Sequence, residues 1–163
     1  MKQRSPQLSL RFDAALPDPQ AKWHDGASIA YLGRRLNLRL YTDRRLAVCE
    51  GETLHLPLPP AASPRQIRDG AEAWLRRAAA QCIGASIERQ AREMQRPVPR
   101  WALSFSARGS WSQSHADGSL RFNWHLIEQP PALIEETVGR VLAALPRANA
   151  TLATADLWAM QAA

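Results

Sequence analysis

The chain has 163 residues, 45% of them hydrophobic and 22% charged, a balance that excludes a disordered or fibrous protein and suits one domain with its own core. Its formal net charge is +6, and the positive charge is almost all arginine, Lys2 and Lys22 being the lysines. Arginine makes bidentate contacts with phosphate or carboxylate, so a polyanion is admitted as a partner, although a well-solvated arginine-rich surface accounts for the charge more simply.

Residues 1–27, with Pro6, Pro17 and Pro19, read as an N-terminal arm, and residues 28–163 as the domain. Segments Ile29 to Tyr31, Leu36 to Tyr41, Leu46 to Cys49 and Thr53 to Leu58 read as short strands. Leu36, Leu38 and Leu40 alternate, as do Leu54, Leu56 and Leu58, and turn residues separate the runs, which predicts an antiparallel meander. Ser63-Pro64 offers a helix N-cap followed by proline at the first helical position. A long helix is expected from there to about Gln95, with Ile67, Ala71, Trp74, Leu75, Ala78, Cys82 and Met94 as its apolar stripe.

Pro97 and Pro99 stop that helix. Trp101, Leu103 and Phe105 alternate, and so do Leu120, Phe122 and Trp124, on either side of the turn signal Asp117-Gly118. Together they predict a β-hairpin. After Pro130-Pro131 a helix opens at Ala132, with Ile134, Val138, Val141, Leu142 and Leu145 as its core stripe, and a last short helix is expected from about Thr154 to Met160. Cys49 and Cys82 form no CxxC or other metal-ligand spacing and read as small buried hydrophobes. The N-terminus lacks the apolar stretch of a signal peptide, and no run approaches the roughly 20 apolar residues that span a bilayer. The expectation is a cytoplasmic, reducing compartment with no membrane partner.

The segment Trp111-Ser112-Gln113-Ser114 followed by Gly118 to Pro131, and above all Phe122-Asn123-Trp124-His125-Leu126-Ile127 with Pro130-Pro131, is similar to the YgjP-like metallopeptidase family, close to the SprT and WLM zincin-like domains. Tyr31-Leu32-Gly33-Arg34-Arg35 and Trp74-Leu75-Arg76-Arg77 fit the same pattern upstream, so the likeness spans roughly residues 28 to 158. It implies a compact α+β zincin-like domain. It also implies where the family's HELxHL helix and NHS sequence fall. Without gaps from Trp124, the first zinc histidine aligns with Arg140, the glutamate base with Val141, the second histidine with Ala144 and the third with Ala150.

A zincin needs two histidines at i and i+4 on one helical face and a glutamate that reaches the metal-bound water. Arginine stays cationic and cannot ligate zinc, alanine has no donor atom, and valine cannot act as a base. No catalytic residue and no cofactor is therefore expected. The serines of 104–119 lack a histidine–acid pair and a GxSxG, and no glycine-rich phosphate loop is present.

Other residues offer little in replacement. His24 lies in the arm, and His55 should face solvent on its strand. His115 and His125 could approach across the hairpin near Asp117, yet their spacing matches no metal motif and a polar surface pair is the blander reading. Glu135 and Glu136 begin the degenerate helix, where capping and the macrodipole account for them. The arginines of the meander and long helix, with Trp23, Trp101 and Trp111, could offer a basic, aromatic-interleaved surface to nucleic acid. Asp69, Glu72, Glu88 and Glu93 interleave that helix and supply ordinary i,i+4 pairs.

The sequence thus predicts an α+β, zincin-like fold: an N-terminal antiparallel β-meander, a long helix, a β-hairpin, a degenerate active-site helix and a short C-terminal helix. The favoured function is a catalytically inactive, metallopeptidase-like domain acting in binding or regulation, with Arg121, Asn123, His125 and Arg140 as candidate binding residues and a protein partner of unknown identity. The alternatives are a nucleic-acid-binding module and a hydrolase using a non-standard site.

Overall fold

A computed structural model of the chain describes residues 22–40, 43–106 and 109–146. The elements run β1 (Ser28–Tyr31), β2 (Arg34–Arg39), β3 (Val48–Glu50), β4 (Thr53–His55), α1 (Pro64–Glu93), β5 (Trp101–Ser104), β6 (Ser112–Ser114), β7 (Leu120–Asn123), a 3-10 turn η1 (Trp124–Glu128) and α2 (Pro131–Ala144). This is the expected α+β mix, consistent with a zincin-like domain. The expected helix near Thr154 to Met160 lies outside the described residues.

Both sheets are mixed, and this corrects two pairings. The first sheet has the order β1-β2-β4-β3. Its outer pairs are antiparallel, but β2 and β4 run parallel, Leu38 facing Leu54. It is therefore not a meander. Alternation tells which residues share a face and leaves open which strands are neighbours. Burial decides the order: Leu54 and Leu56 are fully buried beside Leu36 and Leu38, so β4 takes the centre. The short β3, with only partly buried Val48 and Cys49, suits the edge.

The second sheet has the order β5-β7-β6, with β5 parallel to β7 and β6 antiparallel to it. The Asp117-Gly118 turn does close a hairpin, with Gly118 at φ 77, but the strand across it is the polar β6, not β5. Nor does β7 continue through Trp124: the Asn123 side chain accepts from the His125 N–H at 3.0 Å and caps η1 instead.

The long helix starts as its sequence implies. Ser63 and Gln66 form a reciprocal capping box and Pro64 opens the first turn. It ends in a Schellman motif: Gln95 is left-handed at φ 53, Arg96 N–H reaches Ala91 O at 2.9 Å and Gln95 N–H reaches Arg92 O at 3.0 Å. Its buried row is Ile67, Ala71, Leu75, Ala79, Ile83, Ile87 and Ala91, strict steps of four. Trp74, Ala78 and Cys82 flank it half-buried, and Met94, expected in the stripe, is 38% exposed because the helix has ended before it.

The core lies between α1 and the two sheets and takes in Phe122, Leu126, Ile127, Ile134 and Val138. Trp23 and Ala27 are buried in it as well. The β1–β2 turn docks on the far end of η1: Leu32 N–H donates to Ile127 O at 2.7 Å and Gly33 N–H to Glu128 O at 3.1 Å. Gly33 sits at φ 74, and a Cβ there would lie 3.0 Å from Pro130 Cα. Two sequence segments far apart in the chain, Tyr31-Leu32-Gly33 and Ile127 to Pro130, are thus complementary halves of one joint.

Candidate functional site

The functional question centres on α2. It runs beside the C-terminal half of α1 in the same direction, held at three levels. Near its start the Glu135 carboxylate accepts from Ser86 Oγ at 2.9 Å, from Gln90 Nε2 at 2.7 Å and from the Arg89 guanidinium. One turn on, Gly139 admits the Gln90 amide; a Cβ there would stand 2.6 Å from its Oε1. At the end, Arg96 Nη1 donates to Leu142 O at 2.6 Å and Leu145 O at 3.0 Å, placing a cation on the last carbonyls where the helix dipole favours one.

Glu135 therefore does not cap the helix. The helix begins at Pro131 with no side-chain cap, so Glu135 is already in its second turn and points across to α1. Partial burial pushes its carboxyl up, but the hydrogen bonds from Ser86, Arg89 and Gln90 outweigh that and hold it below the usual glutamate range. The signal for this cluster was in the sequence: Ser86 and Gln90, polar residues four apart, fall where a core stripe should be apolar.

This clamp fixes which face of α2 looks outward. Ile134, Thr137, Val138 and Leu142 are buried, and Val141 is half-buried against the core. Glu136, Arg140, Ala143 and Ala144 are exposed. Arg140 and Ala144 thus stand at i and i+4 on one open helical face, the relation two zinc histidines require. Arg140 donates to Glu136 at 3.0 Å, with both side chains more than 60% exposed, an ion pair of little energetic weight. The donor set does not fit zinc: a guanidinium and a methyl group flank an aliphatic side chain, and the one carboxylate on that face is paired with the guanidinium. Among the described residues no group of three or more His, Cys, Asp and Glu gathers as a metal site would need. Ala150 lies outside the described residues.

Of the other candidate residues, Asn123 and His125 are engaged elsewhere. Asn123 is 5% exposed, and besides capping η1 its amide donates to Ser106 O at 3.2 Å; it ties η1 to the chain after β5. His125 stacks on Trp124, ring centroids 3.8 Å apart, and its Nδ1 lies 2.6 Å from Glu128 Oε1. That pair lines a cavity with the N-terminal half of α1 and β1, not with α2. Arg121 is exposed on β7 opposite Gln113. His115, in the exposed hairpin turn, does not join His125. Asp117 beside it is held below the usual range by the hydroxyl and amide of Ser119.

Most arginines of α1 and its surroundings are already matched by carboxylates: Arg65 and Arg68 with Asp69, Arg76 with Glu72, Arg89 with Glu93 and Glu135, and Arg100 with Asp117. His55, expected to face solvent, is half-buried and lies 3.6 Å from Glu50. No helix among the described residues is long and apolar enough to cross a membrane.

A family model described as YgjP-like, metallopeptidase domain, matches residues 8–138. The matched span includes both halves of the Gly33–Pro130 joint and the first half of α2, and its last residue precedes Arg140 by two positions. No curated protein and no solved structure matches the chain.

Proposed function

The chain belongs to the YgjP-like metallopeptidase-domain family, and from that premise we propose that it is a non-catalytic member, a pseudoenzyme whose surviving surface binds a protein partner in regulation. One observation supports this: α2 presents Arg140 and Ala144 at i and i+4 on its exposed face, and these are the positions onto which the family's two zinc histidines align in the register that Asn123-Trp124 and Pro130-Pro131 imply. Val141, in the position of the base, is drawn into the core, so the helix is packed for stability at a point where an active enzyme needs a carboxylate in the cleft. Arg140 keeps a positive charge on the face where a metal would supply one, and Arg121 adds another on the second sheet.

Two measurements test this reading. The purified chain is expected to carry well under one equivalent of zinc by elemental analysis and to show no zinc-dependent hydrolysis of an unfolded protein substrate; stoichiometric zinc would overturn the proposal. On the binding side, a partner recovered by co-purification from the native cell is expected to be lost when Arg140→Ala and Arg121→Ala are combined. The folded stability should stay within about 0.5 kcal/mol, because both side chains are exposed. Undiminished partner binding by that double variant would remove the α2 face from consideration. The nucleic-acid reading is the weaker one, since the long helix's arginines are largely neutralised within the chain.

A further inference from the structure

Among the described residues, one edge of the first sheet is left open beside a cavity. β1 lies at the end of the strand order, and Ser28 faces Asn37 across the β1–β2 pair. Asn37 turns its N–H away from β1, to Glu52 O at 2.8 Å. Ser28 and Asn37 are therefore a pair that exchanges no hydrogen bonds, and the Ser28 N–H and C=O must point off the edge. The same holds two residues on for Ala30, opposite Arg35. Among the described residues these backbone groups have no hydrogen-bond partner.

Those two residues form one wall of a cavity of about 310 Å³. Its apolar floor is Trp23, Leu75 and Trp124, each less than a tenth exposed. Both of its carboxylates are engaged: Glu72 pairs with Arg76 at 2.8 Å and a Glu128 oxygen lies 2.6 Å from the His125 ring nitrogen. Arg35 and Lys22 have no carboxylate partner among the described residues. From β2, Arg35 reaches β1, where its Nε donates to Ser28 Oγ at 2.9 Å, and its side chain lines the cavity. Lys22 lies with its Nζ 5.2 Å from the Trp23 ring.

Strand backbone that no described residue pairs with, an apolar pocket and two cations that no described carboxylate meets together point to one kind of ligand. We propose that the β1 edge and this cavity bind the carboxyl-terminal end of an extended peptide. The peptide backbone adds a strand at Ser28 and Ala30, its last side chain enters between Trp23, Leu75 and Trp124, and its terminal carboxylate meets Arg35 and Lys22. The site is remote from the α2 face: Glu72 and Gln90 are 18 residues apart on α1, about 27 Å at the helical rise. It stands independently of whether the chain is catalytic.

The test uses the full chain and an acetylated Ser-Val-Ser-Leu tetrapeptide, as the free acid and as the C-terminal amide. The free acid is expected to bind at least about tenfold more tightly than the amide, the difference a charge-assisted contact makes. Arg35→Gln should abolish that difference. Ser28→Pro removes an N–H that points off the sheet, at a position where an edge strand accepts proline, and is expected to abolish binding of both peptides while the circular dichroism spectrum stays unchanged. In the free chain the Ser28 and Ala30 amides should exchange rapidly with solvent and become protected on adding the acid. Equal affinity for acid and amide, or no binding at about 1 mM peptide, would overturn the proposal. So would protection of both amides in the free chain, which would mean that another part of the chain already covers the edge.

Discussion

Glu135→Ala is expected to lower the stability of the domain by about 2–3 kcal/mol, measured by denaturant unfolding, because it strips hydrogen-bond partners from groups that remain buried. Ser86 and Gln90 are 3% and 8% exposed. Without the carboxylate, the Ser86 hydroxyl loses its acceptor, and Gln90 Nε2 keeps only Ser86 Oγ and the Glu135 carbonyl, at 3.1 and 3.0 Å. The lost Arg89 contact adds little, since that side chain is half exposed and retains Glu93 at 2.9 Å. Glu135→Gln should cost less, because an amide oxygen can still accept. The pH dependence has a definite sign. A carboxyl held below its usual range in the fold binds fewer protons there than in the unfolded chain. Its contribution is therefore complete above the unfolded-state pKa and is lost as pH falls through the folded one. The wild-type stability should drop across that acidic window, and the Glu135→Ala variant should show a shallower drop. Parallel acid profiles for the two proteins would show that the carboxylate does not hold the helices together.

That cluster marks a boundary of what the sequence discloses. Elements whose evidence is local were legible: the N-cap at Ser63, the proline stops, the turn at Asp117-Gly118, and the apolar faces of β2 and α2. Elements whose evidence is a choice of neighbour were not. Leu36-Leu38 and Leu54-Leu56 alternate identically whether their strands lie parallel or antiparallel, and only the shared demand for the sheet centre makes them adjacent. The reading of Glu135 as a cap failed for a similar reason. A carboxylate early in a helix is favoured by the dipole wherever it stands, so the local rule was satisfied while the real partners sat 45–49 residues away. The family likeness, by contrast, was legible because it rests on residues that build one joint. The Gly33 turn and Pro130 touch, and Asn123 must cap η1 for Trp124 to enter the core.

The same logic bears on the outward face of α2. Which positions of α2 face outward follows from the Glu135 clamp, the Gly139 notch and the Arg96 cap, none of which involves a metal. A helix anchored in this way keeps its orientation whatever occupies positions 140 and 144. On the proposed non-catalytic reading, the absence of ligands there need not disturb the fold, and Val141 packs against the core. This is a physical route by which a metallopeptidase scaffold can persist as a binding surface.

Trp124→Ala is expected to be the most damaging single change, costing about 3–5 kcal/mol as large core truncations do. Trp124 is 3% exposed and serves three structures at once. It is the first residue of η1, directly after the Asn123 cap. Its ring is flanked by the His125 imidazole at 3.8 Å and by the Arg76 guanidinium at 5.2 Å, and Arg76 in turn is paired with Glu72. It also floors the cavity beside β1. Removing the ring leaves a void that the surrounding backbone cannot close, since η1 is pinned at its far end by the bonds from Leu32 and Gly33. Trp124→Phe separates the contributions. A phenyl ring keeps most of the buried area and a face for Arg76, so the loss should fall to about 1–2 kcal/mol. If alanine and phenylalanine are equally harmful, ring stacking and volume are not what Trp124 supplies. If alanine is tolerated to within about 1 kcal/mol, η1 is not an integral part of the core, contrary to the ordinary cost of such a truncation.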